Sequence, residues 1–301
     1  YGMEKTATRS VEKSTNYGIG VITDIVDVAH DLRIYRIVPE FDFPEFRPGQ
    51  FAVLGRGKDA WDDLETLTER QYSIASSPHD LPALEFCIEL IPKKNRTEKS
   101  VTPRLWSRDC RVGECILMRK RAKGSFLLFD PEKNEDHIDS IALIATVAGI
   151  TPFMSFIRAY HNGYYHRSLQ FYVFHAGSCQ HELVYNDELA GLSRISSDIH
   201  YIPVVSQEPG HEREPYRDHN IGWNGEVGRV NARVRDLFPV FNIQPLPNWN
   251  VFACGNQGML DDLTYGSFHK EWRDVQNGHP EKMGWLMQYG FSREQVLKEP
   301  W

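Results

Sequence analysis

The chain has 301 residues, 41% of them hydrophobic and 25% charged, enough to fold as two domains of ordinary size. A formal net charge of -7 argues against nucleic acid as a general partner. No apolar run approaches the ~20 residues that cross a bilayer, and the start Tyr1-Gly2-Met3-Glu4-Lys5 lacks the apolar core of a secretory signal, so no membrane span and a cytoplasmic location are expected.

Residues 1–17 are polar and aperiodic and read as a flexible leader. From residue 18 to about 121 the chain is strand-like: the runs 21–26, 32–37, 51–54, 72–74, 84–88 and 115–118 are rich in β-branched and aromatic residues, with turn residues between most of them. Short strands without long helices predict a small antiparallel barrel over 18–135, with one short helix within 98–106. The polar stretch 131–136 predicts the domain boundary. Beyond it, 140–145 is almost continuously apolar, as in a strand buried on both faces. Further strands at 170–174, 200–205 and 250–253 alternate with helical segments at 152–160, 182–191, 230–237 and 257–275. That alternation predicts a parallel, Rossmann-like α/β domain over 136–301. No internal repeat is present.

The stretch Arg70-Gln71-Tyr72-Ser73-Ile74-Ala75-Ser76-Ser77-Pro78 carries a cation, an aromatic ring and hydroxyls close together. In a strand, Arg70, Tyr72 and Ile74 share one face, with Gln71 and Ser73 on the other. An anionic, flat, hydrogen-bonding ligand suits such a set, and so does an ordinary strand ending in a Ser-Pro turn. The cysteines Cys87, Cys110, Cys115, Cys179 and Cys254 are odd in number and scattered, and no C-x-x-C pair occurs. Neither a disulfide framework nor a zinc ribbon is expected. Cys110 and Cys115 have the first spacing of a plant-type iron–sulfur run but lack its third member.

Around that stretch, in order, stand Pro48-Gly49-Gln50-Phe51, Thr102, Lys123-Gly124-Ser125-Phe126, Gly149-Ile150-Thr151-Pro152-Phe153, Cys254-Gly255-Asn256 and the ending Glu299-Pro300-Trp301. In this order and spacing the set resembles the ferredoxin–NADP+ reductase family over about residues 18–301. The resemblance implies FAD bound by the barrel domain. Arg70 would contact the diphosphate, Tyr72 the isoalloxazine or ribityl chain, Ser73 the flavin N5 region, Ile88 the adenosine part and Thr102 the diphosphate. Trp301 would cover the flavin face where nicotinamide must bind. Lys99 stands where the family has a glycine.

The resemblance also implies an NADP site, with NAD possible, on the second domain. Gly149, Thr151 and Pro152 form a turn opening a helix, where a dinucleotide diphosphate can approach free N–H groups. Val147 and Ala148 replace the first residues of the family's glycine turn. Ser206, Arg229, Gly255 and Asn256 complete the nucleotide set. Gln207 follows Ser206 where bacterial relatives often have an arginine; Arg213 and Arg217 are candidate substitutes for the 2′-phosphate. Ser73, Cys254 and Glu299 would surround the hydride path, positioning and tuning while the flavin does the redox chemistry. The implied activity is hydride exchange between NADPH and FAD, with single electrons passed to a ferredoxin or flavodoxin. Basic clusters at Lys93, Lys94, Arg96, Lys99 and Arg104, and at Arg119, Lys120, Arg121 and Lys123, would steer such acidic partners. Alternatives are an NADH-dependent oxygenase reductase and a non-catalytic electron-transfer flavoprotein subunit of a larger oxidoreductase.

Overall fold

Six strands form the first sheet, with alternating burial clearest in β2: β1 (Tyr17–Ala29), β2 (Leu32–Pro39), β3 (Phe51–Arg56), β4 (Thr68–Ser73), β5 (Leu84–Glu89) and β6 (Cys115–Arg119). The computed structural model describes residues 16–58, 60–130, 132–133, 135–210, 219–264 and 284–300. The alternation follows the pleat: in β2, Tyr35 and Ile37 point inward while Arg36 between them is exposed. The sheet is antiparallel, in the order β4-β3-β6-β1-β2-β5. Just past β4, the Ala75 N–H donates to Glu85 O of β5 at 2.8 Å, so the two edge strands approach each other and the sheet curls in a barrel-like way. Tyr35, Leu54, Ile74, Phe86, Ile88 and Leu105 lie in its core. Each large apolar side chain so buried stabilises the fold by about 1.5–3 kcal/mol.

The chain divides into two compact units. One holds the residues up to Leu128 together with Thr151–Tyr164, and the other holds Phe129–Ile150 and Tyr165 onward. The helix that opens at Thr151 therefore packs with the antiparallel sheet. It is reached after the short α1 (Thr102–Leu105), and we label it α2 (Thr151–His161). Its Arg158 Nη1 donates to Glu85 Oε1 at 2.8 Å and to Ala75 O at 3.1 Å, and its Ser155 Oγ donates to Ser76 O at 2.8 Å. Glu85, 6% exposed, also accepts from Arg36 Nη2 at 2.9 Å. A buried carboxylate is tolerable only when charges and donors surround it, and two arginines do so here.

In the second unit β7 (Ser140–Thr146), β8 (Gln170–Gly177), β9 (Ile199–Val205), β10 (Glu226–Val227), β11 (Trp249–Gly255) and β12 (Val296–Pro300) form a parallel sheet in the order β10-β9-β8-β7-β11-β12. Every residue of β11 is buried, as is all of β7 but Thr146. A central parallel strand needs this near-continuous apolarity. The helices α3 (Asn186–Ile195), α4 (Val230–Val240), α5 (Gln257–Leu263) and α6 (Trp285–Tyr289) follow. The chain moves outward from β7 through β8 and β9 to β10, then returns to β11 and β12 on the other side of β7. The carboxyl ends of β7 and β11 are thus the switch point at which open α/β sheets bind ligands. The predicted strands are all present. Two short edge strands, β10 and β12, were not expected, because each takes its conformation from pairing rather than from β-propensity. Among the described residues, no helix is long and apolar enough to cross a membrane.

Candidate active site

In the first unit the Arg70–Ser73 run is the C-terminal part of β4, paired with β3 so that Arg70 faces Leu54 and Tyr72 faces Ala52. Arg70 is exposed; its Nη1 donates to Glu69 O at 2.8 Å, and no carboxylate pairs with it among the described residues. Tyr72 is half-buried, with its hydroxyl enclosed and without a hydrogen-bond partner. A buried hydroxyl left unbonded costs about 1–3 kcal/mol, so a polar ligand atom at that position would be favoured. Burial also pushes the Tyr72 phenol well above its ordinary range, so it remains a donor at any working pH. An exposed guanidinium without a carboxylate partner and an orphaned phenol two residues apart on one strand fit a flat ligand bearing phosphate.

Two flanking motifs meet beside this strand. Phe51 and Lys123 exchange both backbone hydrogen bonds, at 2.8 and 2.9 Å, and Gln50 Nε2 donates to Gly124 O at 3.2 Å. Gly49 sits at φ 90°, and a Cβ there would strike Phe126 O and the Phe156 ring. The Pro-Gly-Gln-Phe and Lys-Gly-Ser-Phe segments are therefore one structural joint under β4. Ile88 is 1% exposed and packs in the core. The Thr102 hydroxyl accepts from the Ile91 N–H at 3.1 Å, which leaves its own hydrogen to donate. Of the basic clusters, Arg96, Arg104 and Arg119 are committed internally. Arg96 donates to Ile91 O, Arg104 to the carbonyls of Arg56, Thr66 and Glu98, and Arg119 to Glu69 while stacking on Tyr17. Lys93, Lys94, Lys99, Arg121 and Lys123 remain exposed.

In the second unit three sequence-distant motifs converge at the switch point. Cys254 pairs in register with Ala145 of β7 on one side and Glu299 of β12 on the other. Gly149, in the single-turn 3-10 segment Val147–Ile150, lies so close to Cys254 that a Cβ would collide with the Cys254 carbonyl. Gly255 is at φ 145°, where a Cβ would strike the Thr146 hydroxyl, and that hydroxyl accepts from the Asn256 N–H at 2.9 Å. Asn256 caps α5: its Oδ1 accepts from the N–H groups of Gly258 at 2.8 Å and Met259 at 3.4 Å. Thr151 and Pro152, which follow in sequence but belong to the first unit, are buried in the first turn of α2. Desolvation, then the nearby Glu299 carboxylate, pushes the Cys254 thiol far above its ordinary range, so it stays a neutral thiol rather than a nucleophile. Glu299 has one buried carboxylate oxygen without a hydrogen-bond partner, and desolvation raises its carboxyl to about 7. Such a group exchanges a proton near neutral pH.

Sequence reasoning missed His175. Val147 takes φ 48°, a left-handed conformation that costs a β-branched residue of order 1–3 kcal/mol. Its carbonyl accepts from His175 Nε2 at 3.1 Å, so that Nε2 carries the proton and Nδ1 faces the Tyr201 hydroxyl at 3.4 Å. Full burial pushes the imidazole down to about 4, and it is neutral here. The fixed imidazole holds the strained turn that stands where a glycine was expected. The available signal was one histidine inside the apolar run that follows Gln170 in β8.

Ser206 and Arg229 come together at a neighbouring strand end. Val205 pairs with Val227, Gly228 N–H donates to Val205 O at 2.8 Å, and Ser206 and Arg229 follow directly. Both are exposed; Arg229 is the residue before the first turn of α4, and no carboxylate pairs with it among the described residues. A cation at the positive end of a helix dipole is unfavourable until an anion joins it. Trp301, Arg213 and Arg217 lie outside the described residues.

Comparison with known proteins agrees with this architecture. Residues 143–264 match the family of the oxidoreductase NAD-binding domain. The fold is similar to a ferredoxin NADP+ reductase from Neisseria gonorrhoeae with bound FAD and NADP, at TM-score 0.67 and 19% identity over 95% of this chain and 99% of that one. It is also similar to the cytochrome b5 reductase domain of Ulva prolifera nitrate reductase, at TM-score 0.64 and 15% identity over 93% and 96% of the two chains. An Amycolatopsis cytochrome P450 reductase matches at TM-score 0.64 and 17% identity, over 94% of this chain and 69% of that one. No curated protein matches the chain by sequence.

Proposed function

Given a chain that carries an oxidoreductase NAD-binding domain over residues 143–264 and shares the two-domain fold of the ferredoxin–NADP+ reductases and related FAD/NAD-binding reductases, we propose that it is an FAD-dependent NAD(P)H oxidoreductase that delivers electrons to a separate ferredoxin or flavodoxin. The observation that carries the reading is the switch point, where Gly149 and Gly255 pack against Cys254 and Thr146 without room for a Cβ, beside a carboxyl group that titrates near neutrality.

When bound, FAD would take two electrons from the nicotinamide and release them singly. Arg70 would hold its diphosphate, Tyr72 would donate its orphaned hydroxyl to it, and Ser73 and Thr102 would donate hydroxyl hydrogens. Gly149 and the turn held by His175 let a dinucleotide diphosphate come close to backbone N–H groups. The neutral thiol of Cys254 provides a small, uncharged contact for the nicotinamide ring. Glu299 holds a proton beside it and exchanges that proton as the electron count of the site changes. Arg229 with Ser206 would receive a 2′-phosphate, which favours NADPH. A second reading, an NADH-dependent reductase serving an oxygenase, is favoured by Gln207 and the exposed acidic Glu208 following Ser206.

The exposed lysines of the first unit are suited to an acidic partner. Oxidation of NADPH by the FAD-loaded protein should therefore depend on added ferredoxin or flavodoxin, and the acceptor's apparent affinity should fall steeply with ionic strength. Turnover with neither carrier above the rate in their absence would contradict the partner.

A further inference from the structure

Cys179, His181 and His219 form a cluster that includes none of the residues assigned to the flavin or the nucleotide. One ligand atom from each lies within 4.8 Å of the other two. Cys179 Sγ is 3.7 Å from His219 Nδ1, and the two imidazole rings have centroids 4.8 Å apart at 57°. For zinc, with bonds of about 2.3 Å to sulfur and 2.0–2.1 Å to nitrogen, tetrahedral ligands stand roughly 3.5 Å from each other. The Cys179–His219 pair already has that spacing. His181 is exposed, and a rotation of its side chain closes the rest.

The backbone beneath the cluster is fixed before any ion arrives. Gly177 makes the close turn out of β8, because a Cβ there would press on Glu182 at 2.8 Å. The Ser178 N–H donates to Glu182 Oε2 at 2.6 Å, and the Glu182 N–H donates to Cys179 O at 3.1 Å, so Gln180–Glu182 is a 3-10 turn presenting Cys179 and His181 two residues apart. Asn220, fully buried, ties this turn to the chain just past β9: its Oδ1 accepts from the Gln180 N–H at 2.9 Å and its Nδ2 donates to Gln207 O at 2.7 Å. His219, next to Asn220, is thereby held over Cys179. A preformed ligand set loses little entropy on closing around an ion.

We propose that Cys179, His181 and His219 are a zinc site, with three protein ligands and a fourth position open to water. Two imidazoles with a thiolate are a donor set for zinc or copper and a poor one for magnesium or calcium. Binding forms one zinc–sulfur and two zinc–nitrogen bonds; the Cys179 thiol releases its proton to solvent, and no oxidation state changes. The ion would clip the turn at the end of β8 to the chain at His219, beside the Ser206–Gln207 strand end, whose N–H groups donate to Gly177 O and Ser178 O. The site is independent of the flavin and nucleotide reading.

The full chain, stripped with a chelator, should take up one zinc ion per molecule, with tighter binding as pH rises. Its Tm should increase by roughly 5 °C or more at zinc a hundredfold above the dissociation constant. His181→Asn, a substitution at an exposed side chain, should weaken binding at least tenfold without changing the Tm of the zinc-free protein. Cobalt(II) should give a thiolate charge-transfer band that Cys179→Ser abolishes and Cys115→Ser preserves. No stoichiometric zinc uptake overturns the proposal. So does uptake that His181→Asn and Cys179→Ser leave unchanged, which would mark adventitious binding elsewhere.

Discussion

Glu299 joins structure to chemistry most closely at the scale of single residues. Its carboxyl, at about 7 against an ordinary 4.5, is protonated where a solvated glutamate is not. Because the folded value is the higher one, its contribution to stability is fully present below about 4.5 and is lost as pH rises through about 7. Glu299→Gln should remove that loss from the pH dependence of thermal unfolding. It should also flatten a titration near pH 7 in the rate of flavin reduction by NADPH. A profile for the Gln variant superimposable on the native one would show that the carboxyl does not serve the reaction. Tyr72 gives a test of opposite sign in the two states. Tyr72→Phe removes an unbonded buried hydroxyl, so the FAD-free protein should become more stable by about 1 kcal/mol while FAD binds more weakly, by roughly five- to tenfold. Denaturant unfolding and flavin titration read the two effects separately. Equal FAD affinity in both proteins would place the hydroxyl off the flavin.

The element scale explains which parts were legible in the sequence. β7 and β11 announce themselves as apolar runs because both their faces are covered, and β2 and β5 by their β-rich composition. β12 does not: Val296–Pro300 reads as a charged tail, and only its pairing with β11 makes it a strand. Glu299 and Cys254 were grouped around the hydride path by the family resemblance, and the pairing of β12 with β11 puts the two residues side by side in register. The turn Val147-Ala148-Gly149 looked weakened by the missing glycine. The structure supplies a reason it persists, a buried imidazole holding the Val147 carbonyl; its only trace in the sequence is a histidine in an apolar strand, and that His175 lies 28 residues away from the turn. Gly149 is the element's rigid requirement. Gly149→Ala must push the turn off the Cys254 carbonyl, so NADPH binding should weaken at least about tenfold while FAD content stays native. Native NADPH affinity in this variant would remove the close approach from the binding site.

For the molecule as a whole, the alternation of strands and helices announced two fold types in the right order. Assignment of α2 was not legible, since its amphipathic sequence does not say which sheet it covers. Its Arg158 and Ser155 bond Glu85, Ala75 and Ser76, and so tie the segment directly after the nucleotide turn to the unit that carries Arg70 and Tyr72. The Cys-His-His cluster was equally silent, its members lying 38 residues apart between His181 and His219 with no repeated spacing. In the proposed function, the whole chain moves electrons from a reduced nicotinamide to its own FAD. Rapid mixing of the FAD-loaded protein with NADPH or NADH, without oxygen, tests it most directly. Bleaching of the flavin absorbance within each turnover time is expected, faster and at lower concentration with NADPH. A flavin that stays oxidised with both nucleotides would contradict it.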